Sequence, residues 1–501
     1  MGSKEVTTVL SDIVKIQTMK VSVNDIRLED YVSTDCMIPD FGGVTKAEKM
    51  PLSGKVTSFN KGDVLFSNIR TYFKKLWLAD RDGACSNDVI VFRPKTGIEG
   101  KYLFHALMNE EFIDYTVKTS KGTKMPRGDK EAMLKYSVYL PSKDQRKKIG
   151  DSLLQIKNKI ELNNQTNQTL EQMAQALFKS WFVDFDPVFD NLLASVDFKL
   201  ENLETSLPDE LKLKAQRRLA ALNSLKNAAE CKASLIALAH ELQAQLPTKE
   251  AAEKGTETPV KASFNTNPNI LAQHANTHAH FPNEFEHNEQ LGWIPKGWED
   301  VKVNEMVRTV SETYPLKSVD KVIFLNTGDI LEGKFLHSEF SNTEGLPGQA
   351  KKSIKKGDIL YSEIRPKNKR FALVNFDGSE HVVSTKLMVL RPNEGFEELF
   401  PYFVLTQEHN ISLLQQAAES RSGTFPQITF TELAMIKIAL PKDKKLINIF
   451  ISSFLKDHFA QKDKRDFQNK TLTKLRDTLL PKLISGELQI PDVAIDDQIV
   501  D

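Results

Sequence analysis

Hydrophobic positions follow two different spacings along this chain. Short apolar runs such as VLFSNI (64–69), VIVF (89–92) and ILYSEI (359–364) have the length of β-strands, and the Lys-Gly-Asp and Asp-Gly pairs between such runs are typical of turns. After two Leu-Pro pairs, at 140–141 and 440–441, apolar positions instead recur every three or four residues, which predicts a long helix. The pattern therefore predicts two mixed regions of strands and helices, each followed by one long helix.

Each predicted long helix has a heptad seam. In the first helix the seam positions, two of them asparagine, are Ile149, Leu153, Ile156, Ile160, Asn163, Asn167, Leu170, Ala174 and Leu177. In the second helix they are Ile447, Ile451, Phe454, His458, Leu472, Leu475 and Leu479. Because such a seam needs a partner helix to cover it, and the chain supplies two, we predict that the two helices pair as an antiparallel coiled coil.

The two mixed regions are copies of one module. KGDVLFSNIR (61–70) recurs as KGDILYSEIR (356–365), with seven of ten positions identical, and SNDVIVFRP (86–94) matches STKLMVLRP (384–392). Three weaker matches follow in the same order, at the segments GTKMP, SVYLP and LEQMAQALFKSWF of the first copy. Generic strand and turn patterns could explain any one match, but five in a fixed order indicate an internal duplication.

An insertion separates the two copies. Residues 207–246 have a helical pattern and are predicted to form a helical hairpin, whereas the polar sequence after them is predicted to be flexible. The predicted fold class is α+β, with two α/β domains related by a pseudo-twofold internal repeat. The predicted division of the chain is an α/β domain 1 (1–145), a first helical region (146–186), the insertion (187–290), an α/β domain 2 (291–442) and a second helical region (443–501).

Composition narrows the function classes. The 501 residues include 67 basic and 67 acidic side chains, so any surface that binds nucleic acid must be a local one. Three cysteines lack the paired spacing of a disulfide framework or a zinc site, which favours a reducing, cytoplasmic location. No apolar run approaches the ~18 residues of a membrane helix, and the segment MGSKEVTTVL has no apolar signal-peptide core.

Candidate catalytic and cofactor motifs are weak. No Gly-x-Gly is present, so neither a dinucleotide loop nor a glycine-rich S-adenosylmethionine loop is predicted, and GDILEGKF (328–335) has Phe335 where a phosphate loop needs Ser or Thr. Asp358, Glu363 and Arg365 resemble a nuclease set, but Asn68 replaces Glu363 in the first copy. A histidine metal site in the insertion lacks cysteine partners and a rigid scaffold; its members would be His274, His278 and His280. We therefore predict no catalytic residue, metal or cofactor in this chain.

Basic and polar side chains concentrate in one loop of each copy. Residues 118–148 carry ten Lys or Arg against three acidic residues, a net charge of +7. Arg and Gln can donate to guanine and adenine edges, and Lys, Ser and Thr can contact phosphates. The predicted DNA-binding residues are Lys118, Lys121, Thr123, Lys124 and Arg127 in the first copy, and Arg365, Lys367, Arg421, Ser422, Thr424 and Gln427 in the second. Either loop alone could be a solvated surface; the same position in both copies, with different residues, favours two recognisers of different sequences.

These landmarks resemble those of the specificity subunit of type I restriction–modification systems. The resemblance covers nearly the whole chain and rests on LP-x2-DQRKKI (140–149), LEQMAQALFKSWFVDFDPV (170–188), LGWIPKGWE (291–299) and LRDTLLPKLISGEL (475–488). The second junction, LPKDKKLINI (440–449), lacks the Asp-Gln of the first, and the insertion is longer than expected.

The resemblance implies two target recognition domains separated by two conserved helices that pair antiparallel. It implies partners as well: double-stranded DNA, two methylation subunits and restriction subunits, with S-adenosylmethionine, ATP and magnesium on those subunits. The predicted subunit-interface positions of the helices are Ile156, Ile160, Leu170, Leu177, Phe454, Leu472, Leu475 and Leu479.

The length of the first helix predicts a bipartite target. Arg146 to Phe182 is 37 residues, or about 55 Å of helix at ~1.5 Å per residue, against ~34–36 Å for one turn of DNA. Two differing domains would then recognise an asymmetric target with an unread spacer. Two alternatives stay open: a self-contained DNA-modifying enzyme, and a coiled-coil scaffold whose domains bind protein.

Overall fold

The computed structural model describes residues 7–203, 207–244, 277–421 and 423–491, without the side chains of 241–244. The chain divides into two compact units, Met1–Gln168 with Lys462–Asp501 (unit 1) and Thr169–Gln461 (unit 2). Unit 1 contains domain 1 and unit 2 contains domain 2 and the insertion. The mixed helix-and-sheet fold class predicted from the sequence is confirmed.

Domain 1 contains two four-stranded sheets and one two-stranded sheet. The first is antiparallel, in the order Val14–Ile16, Val89–Pro94, Val64–Ser67 and Leu76–Leu78. The second has the order Lys20–Ser22, Lys55–Phe59, Gly83–Cys85 and Tyr31–Val32, with its last pair parallel. Thr7–Val9 pairs with Ser137–Tyr139. The helices are Leu10–Ile13, Gly100–Leu107, Glu110–Lys118 and Lys130–Leu134.

Domain 2 repeats the strand order of the first sheet, whereas its second sheet has the fourth strand on the opposite edge. Its first sheet has the order Val307–Val310, Leu387–Pro392, Ile359–Ser362 and Phe371–Leu373, again antiparallel. Its second has the order Ser341–Asn342, Lys321–Leu325, His381–Ser384 and Ala350–Ser353, and Trp298–Lys302 pairs with Lys437–Pro441. The pair Lys321–Leu325 and His381–Ser384 is parallel, like the parallel pair of domain 1. The helices are Val303–Met306, Leu399–Leu405, Glu408–Arg421 and Phe430–Ala434. The predicted duplication is therefore one of fold as well as of sequence.

Short elements complete the two units. Two hairpins belong to unit 2 and pair Phe285–Asn288 with Gly292–Pro295 and Ile330–Leu331 with Lys334–Phe335. The described 3-10 turns are Val23–Asp25, Leu28–Asp30, Thr71–Phe73, Leu200–Asn202, Leu316–Ser318, Thr327–Asp329, Pro366–Asn368 and Gly378–Glu380.

A buried ion pair holds the Lys-Gly-Asp turn in each domain. In domain 1, Arg93 donates from Nε and Nη2 to the carboxylate of Asp63, at 2.9 and 2.7 Å, and Asp63 is 3% exposed. In domain 2, Arg391 does the same to Asp358, at 2.7 and 2.9 Å, and Asp358 is 1% exposed. Each aspartate also accepts the backbone N–H three residues earlier, at 2.8 Å. The pair fixes the strand that follows, Val64–Ser67 or Ile359–Ser362.

Long helix 1, Lys143–Phe182, and long helix 2, Lys456–Ser485, are the predicted helices. Helical structure leads into long helix 2 from Lys445–Phe450 through a π-helical turn at Ile451–Leu455. In unit 1 the two helices run antiparallel: Asn163 donates to Gln468 and Asn469 at 2.8 and 2.9 Å, whereas Asn167, one turn later, donates to Asp466 at 2.8 Å. Both asparagines are buried, so the predicted polar seam positions are confirmed.

One seam position is wrong. Leu475 is 44% exposed, whereas its neighbour Arg476 is half-buried. The buried face of the helix passes from Leu472 to Arg476, a step of four residues. The predicted step was three; because an α-helix has 3.6 residues per turn, a buried face can take either step. The other predicted subunit-interface positions are half-buried, as is His458: Ile156, Ile160, Leu170, Leu177, Phe454, Leu472 and Leu479. The remaining predicted seam positions are buried: Ile149, Leu153, Asn163, Asn167, Ala174, Ile447 and Ile451.

Aromatic side chains cover the end of long helix 1 within unit 2. Phe178 is fully buried, with ring centroids of Phe400, Phe403 and Phe450 at 5.5–5.9 Å. Trp181 packs against Phe450 and Phe454 at 5.3 Å. These contacts place the helical segment 445–455 and helix Leu399–Leu405 on the seam, as the antiparallel pairing requires.

The insertion has a core of its own. Its helices Asp186–Ala194, Asp209–Asn223 and Ala228–Ala244 include the predicted hairpin, and they bury the side chains Phe189, Leu192, Leu193, Leu203, Leu211, Ala215 and Leu222. Asp190, 1% exposed, accepts two hydrogen bonds from Arg218 at 2.7 Å and contacts His278 Nε2 at 2.9 Å. Most of the segment predicted to be flexible, residues 245–276, lies outside the described residues. Among the described helices, none has the length and apolarity needed to cross a membrane.

Candidate nucleic-acid interface

The basic loop of domain 1 connects helix Glu110–Lys118 to helix Lys130–Leu134. Its ends are closed by reciprocal backbone bonds, Lys121 N–H to Arg127 O at 2.8 Å and Arg127 N–H to Lys121 O at 2.9 Å. Gly122 has a φ of 97°, which a side chain would disfavour in this tight turn. Lys118, Lys121, Thr123, Lys124 and Arg127 are all exposed. The structure therefore brings the five predicted residues of domain 1 together, four on this loop and Lys118 at the end of the helix before it.

The corresponding loop of domain 2 lies between helix Glu408–Arg421 and helix Phe430–Ala434. Arg421 ends the first helix and is exposed, as is Thr424, whereas Gln427 is half-buried. Ser422 lies outside the described residues. Thr429 caps the next helix, as Asp129 does in domain 1, so both loops end at an equivalent N-cap.

Each loop is fastened to the segment after the first repeated strand. Arg70 N–H donates to Pro126 O at 2.9 Å, and Arg365 N–H donates to Pro426 O at 3.1 Å. Both arginines have left-handed backbones, with φ of 50° and 44°. This bond places Arg365, and with it the exposed Lys367, beside the loop that carries Gln427. The described residues of the domain 2 prediction therefore lie on this loop or on the segment bonded to it.

Three of the predicted cations form ion pairs with neighbouring carboxylates. The N···O distances are 2.5 Å for Lys121–Asp129, 3.0 Å for Arg127–Asp88 and 2.5 Å for Arg421–Glu432. The Lys121 ammonium and backbone N–H donors lower the pKa of Asp129, so its carboxylate stays charged. Exposed pairs contribute only about 0–1 kcal/mol, so a phosphate can compete for these cations. Lys118 and Lys124 have no such pair in the described part of the chain.

The alternative catalytic sets do not form sites. The buried carboxylate of Asp358 is already paired with Arg391. The nuclease-like set of Asp358, Glu363 and Arg365 therefore lacks an available first carboxylate. The described residues contain no group of three His, Cys, Asp or Glu placed to hold a metal ion. His278 is 2% exposed and contacts Asp190, desolvation lowers the pKa of His280, and His274 lies outside the described residues.

Comparison with known proteins identifies this arrangement. Residues 7–172 and 295–466, more than half of the chain, both match the family described as "Type I restriction modification DNA specificity domain". The chain belongs to this family. The resemblance stated from the sequence motifs is confirmed, and the two matched segments are the two copies of the repeat together with much of the long helices.

Two curated relatives are specificity subunits. The type I restriction enzyme HindI specificity subunit of Haemophilus influenzae is 46% identical over 145 residues, which are 29% of this chain and 32% of that protein. The type I restriction enzyme MjaIX specificity subunit of Methanocaldococcus jannaschii is 21% identical over 408 residues, 80% of this chain and 72% of that protein. The crystal structure of a type I restriction–modification S subunit from M. genitalium covers 98% of both chains at 12% identity, with a TM-score of 0.48.

Sequence reasoning missed three polar residues next to the loops of this specificity subunit. These residues are Asn68, Asp88 and Lys386, of which the sequence motifs singled out Asn68 alone, as the replacement for Glu363. Asp88 holds Arg127, and Lys386 donates to Gln427 Oε1 at 3.1 Å and approaches Glu363 at 3.4 Å. The signal was present in the matched segments, because these are the positions at which the two copies differ in charge.

Proposed function

We propose that this chain recognises double-stranded DNA sequence for a type I restriction–modification complex and carries out no chemistry itself. The observation that supports this most is the contrast within the repeat. The two domains share the strand order of their first sheet, the turn ion pairs and the loop attachment, yet their exposed loops carry different donors. Two domains that recognise different DNA sequences need the same framework and loops with different side chains. The target is therefore bipartite and asymmetric.

The chemistry is assigned to partner subunits. Specificity subunits of this kind work with methylation and restriction subunits, and we propose that two methylation subunits bind the long helices. Seam positions are covered by the partner helix, so exposed apolar side chains of the helices, such as Leu475 and Phe467, are the ones open to a partner. S-adenosylmethionine, ATP and magnesium would bind those subunits, and an adenine to be methylated would be flipped into the partner's pocket. A cytoplasmic location stays a prediction.

Selection from random duplex DNA tests the proposal. The full chain, with and without its methylation subunits, is incubated with a randomised pool, and bound DNA is sequenced. The expected result is one consensus with two unlike half-sites and a spacer of no preferred sequence. A protein-binding scaffold would select no consensus. Methylation or cleavage of the selected DNA by the purified chain alone would contradict the non-catalytic assignment and favour a stand-alone enzyme.

A further inference from the structure

Three equivalent positions form a polar cluster beside the loop of each domain. We call these clusters the strand-end triads: Asn68, Asp88 and Arg127 in domain 1, and Glu363, Lys386 and Gln427 in domain 2. Each triad lies where the two central strands of the first sheet meet the loop. Its members come from three separate segments of the chain, so only the fold brings them together.

The backbone of the two triads is the same. Asn68 N–H donates to Asp88 O at 2.8 Å, and Glu363 N–H donates to Lys386 O at 3.0 Å. The carbonyls of Asn68 and Glu363 accept N–H groups from the loops, Gly128 at 3.0 Å and Ile428 at 2.9 Å. Ile69 and Ile364 form isolated β-bridges with Arg127 and Gln427. These shared bonds establish the equivalence independently of the side chains.

The side chains differ at all three positions, and yet each triad compensates its own charge. In domain 1, Arg127 pairs with Asp88 at 3.0 Å and Asn68 is neutral. In domain 2, Lys386 lies 3.4 Å from Glu363 and donates to the neutral Gln427. Each triad thus contains one cation, one carboxylate and one amide, at different positions. Exchanging the triads would leave the charge of both domains unchanged.

Each triad has hydrogen-bond donors or acceptors that have no partner among the described residues. Arg127 has five N–H donors, and only its Nη2 is paired in the described structure. Lys386 binds the Oε1 of Gln427, which leaves the Gln427 amide N–H groups unbonded among the described residues. Asn68 is 8% exposed, and its Oδ1 is buried with no hydrogen-bond partner among the described residues. A buried acceptor without a partner is costly in a purely structural cluster.

We propose that the strand-end triads are specificity-determining positions, at which each domain contacts base edges of duplex DNA. This rests on the proposed function and deepens it. Arg, Lys, Gln and Asn form the base contacts that distinguish sequences in the major groove. Asp88 and Lys386 act as positioning residues, because each holds the side chain that would contact the base and so reduces the entropy lost on binding. Because each triad has no net charge, the two domains can present different hydrogen-bond donors while their attraction to DNA phosphates stays the same.

A triad exchange in the full chain tests this. One variant carries Asn68→Glu, Asp88→Lys and Arg127→Gln; the other carries Glu363→Asn, Lys386→Asp and Gln427→Arg. A matched control reverses an exposed ion pair elsewhere in unit 1, through Lys101→Asp and Asp151→Lys, whose side chains are 2.6 Å apart. All are bound, with the methylation subunits, to the randomised duplex pool. Circular dichroism and assembly with those subunits check folding.

Each exchange is expected to change base preference by about tenfold or more at one or more positions of a single half-site, with the two exchanges affecting opposite half-sites. The control should reproduce the parent consensus. An unchanged consensus, or weaker binding with unchanged preferences in folded variants, would overturn the assignment of the triads alone. If the parent chain selects no consensus, the proposed function fails instead, so the two failures are distinguishable.

Discussion

Replacing Arg391 with methionine should destabilise domain 2 by about 3–5 kcal/mol, because it leaves a buried carboxylate without its ion partner. Asp358 is 1% exposed and accepts two bonds from Arg391, at 2.7 and 2.9 Å. Without the guanidinium, the Asp358 carboxylate keeps only the hydrogen bond from Lys355 N–H, at 2.8 Å, among the described residues. Methionine keeps the aliphatic stem, so the loss comes from the uncompensated charge and not from a cavity.

A second substitution isolates that cause. Arg391→Met combined with Asp358→Asn removes the charge and keeps an acceptor for Lys355 N–H, so more than half of the lost stability should return. The equivalent Arg93→Met in domain 1 should cost less, because the Arg93 side chain is 34% exposed against 20% for Arg391. Urea unfolding with pulsed hydrogen exchange and mass spectrometry scores peptides of each domain separately. A loss below about 1 kcal/mol for Arg391→Met, or a double variant less stable than the single one, would refute the reasoning.

Three further predictions concern unit 1, the seam and the loops. Burial lowers the pKa of His105 to about 3 in the folded chain, below its unfolded value of about 6.5, so its contribution to stability is lost as pH falls below about 6.5. Between pH 7 and 5 the parent should lose roughly 2 kcal/mol more than His105→Leu in urea titrations, and equal pH profiles would count against this. Phe178→Ala should cost about 3–5 kcal/mol and the exposed Leu475→Ala under about 1, as measured by thermal unfolding; equal losses would contradict the observed seam. Lys124→Ala should reduce the slope of log affinity against log salt by about 0.9 without changing the consensus, with a smaller effect for Lys121→Ala because Lys121 pairs with Asp129; an unchanged slope would exclude a phosphate contact.

Much of the fold was predictable because the determining patterns are local. Short apolar runs and Lys-Gly-Asp turns predicted strands such as Val64–Ser67 and Ile359–Ser362, and 4-3 spacing predicted both long helices. The match at KGD and at the RP of FRP or LRP placed Asp63 and Arg93 in equivalent positions to Asp358 and Arg391. Their pairing across 30 or more residues was not predictable, because it depends on strands that are neighbours only in the folded sheet. Leu475 was wrongly predicted to lie in the seam for a related reason: the surface of the partner helix decides which positions of a helix are buried.

The candidate site, like the fold, was predictable from the sequence only in part. The exposed positions of the loop 118–130 followed from its composition and from its duplicate near 421–427, although their role as DNA contacts stays a prediction. Asp88 and Lys386 were missed because single-sequence reasoning ranks residues by local density of charge, and each stands alone in its segment. Only the backbone bonds of Asn68 and Glu363 bring these residues to the loops. The predicted domain boundaries also stay predictions.

In the proposed function, each domain contacts its own half of one DNA target. Methylation interference with dimethyl sulfate tests it most directly, because modified guanine N7 atoms block contacts in the major groove. On the selected site, the parent complex should show two clusters of interfering guanines separated by a silent spacer, and the domain 1 triad exchange should change one cluster only. A single continuous cluster, or changes in both clusters from that one exchange, would contradict the claim.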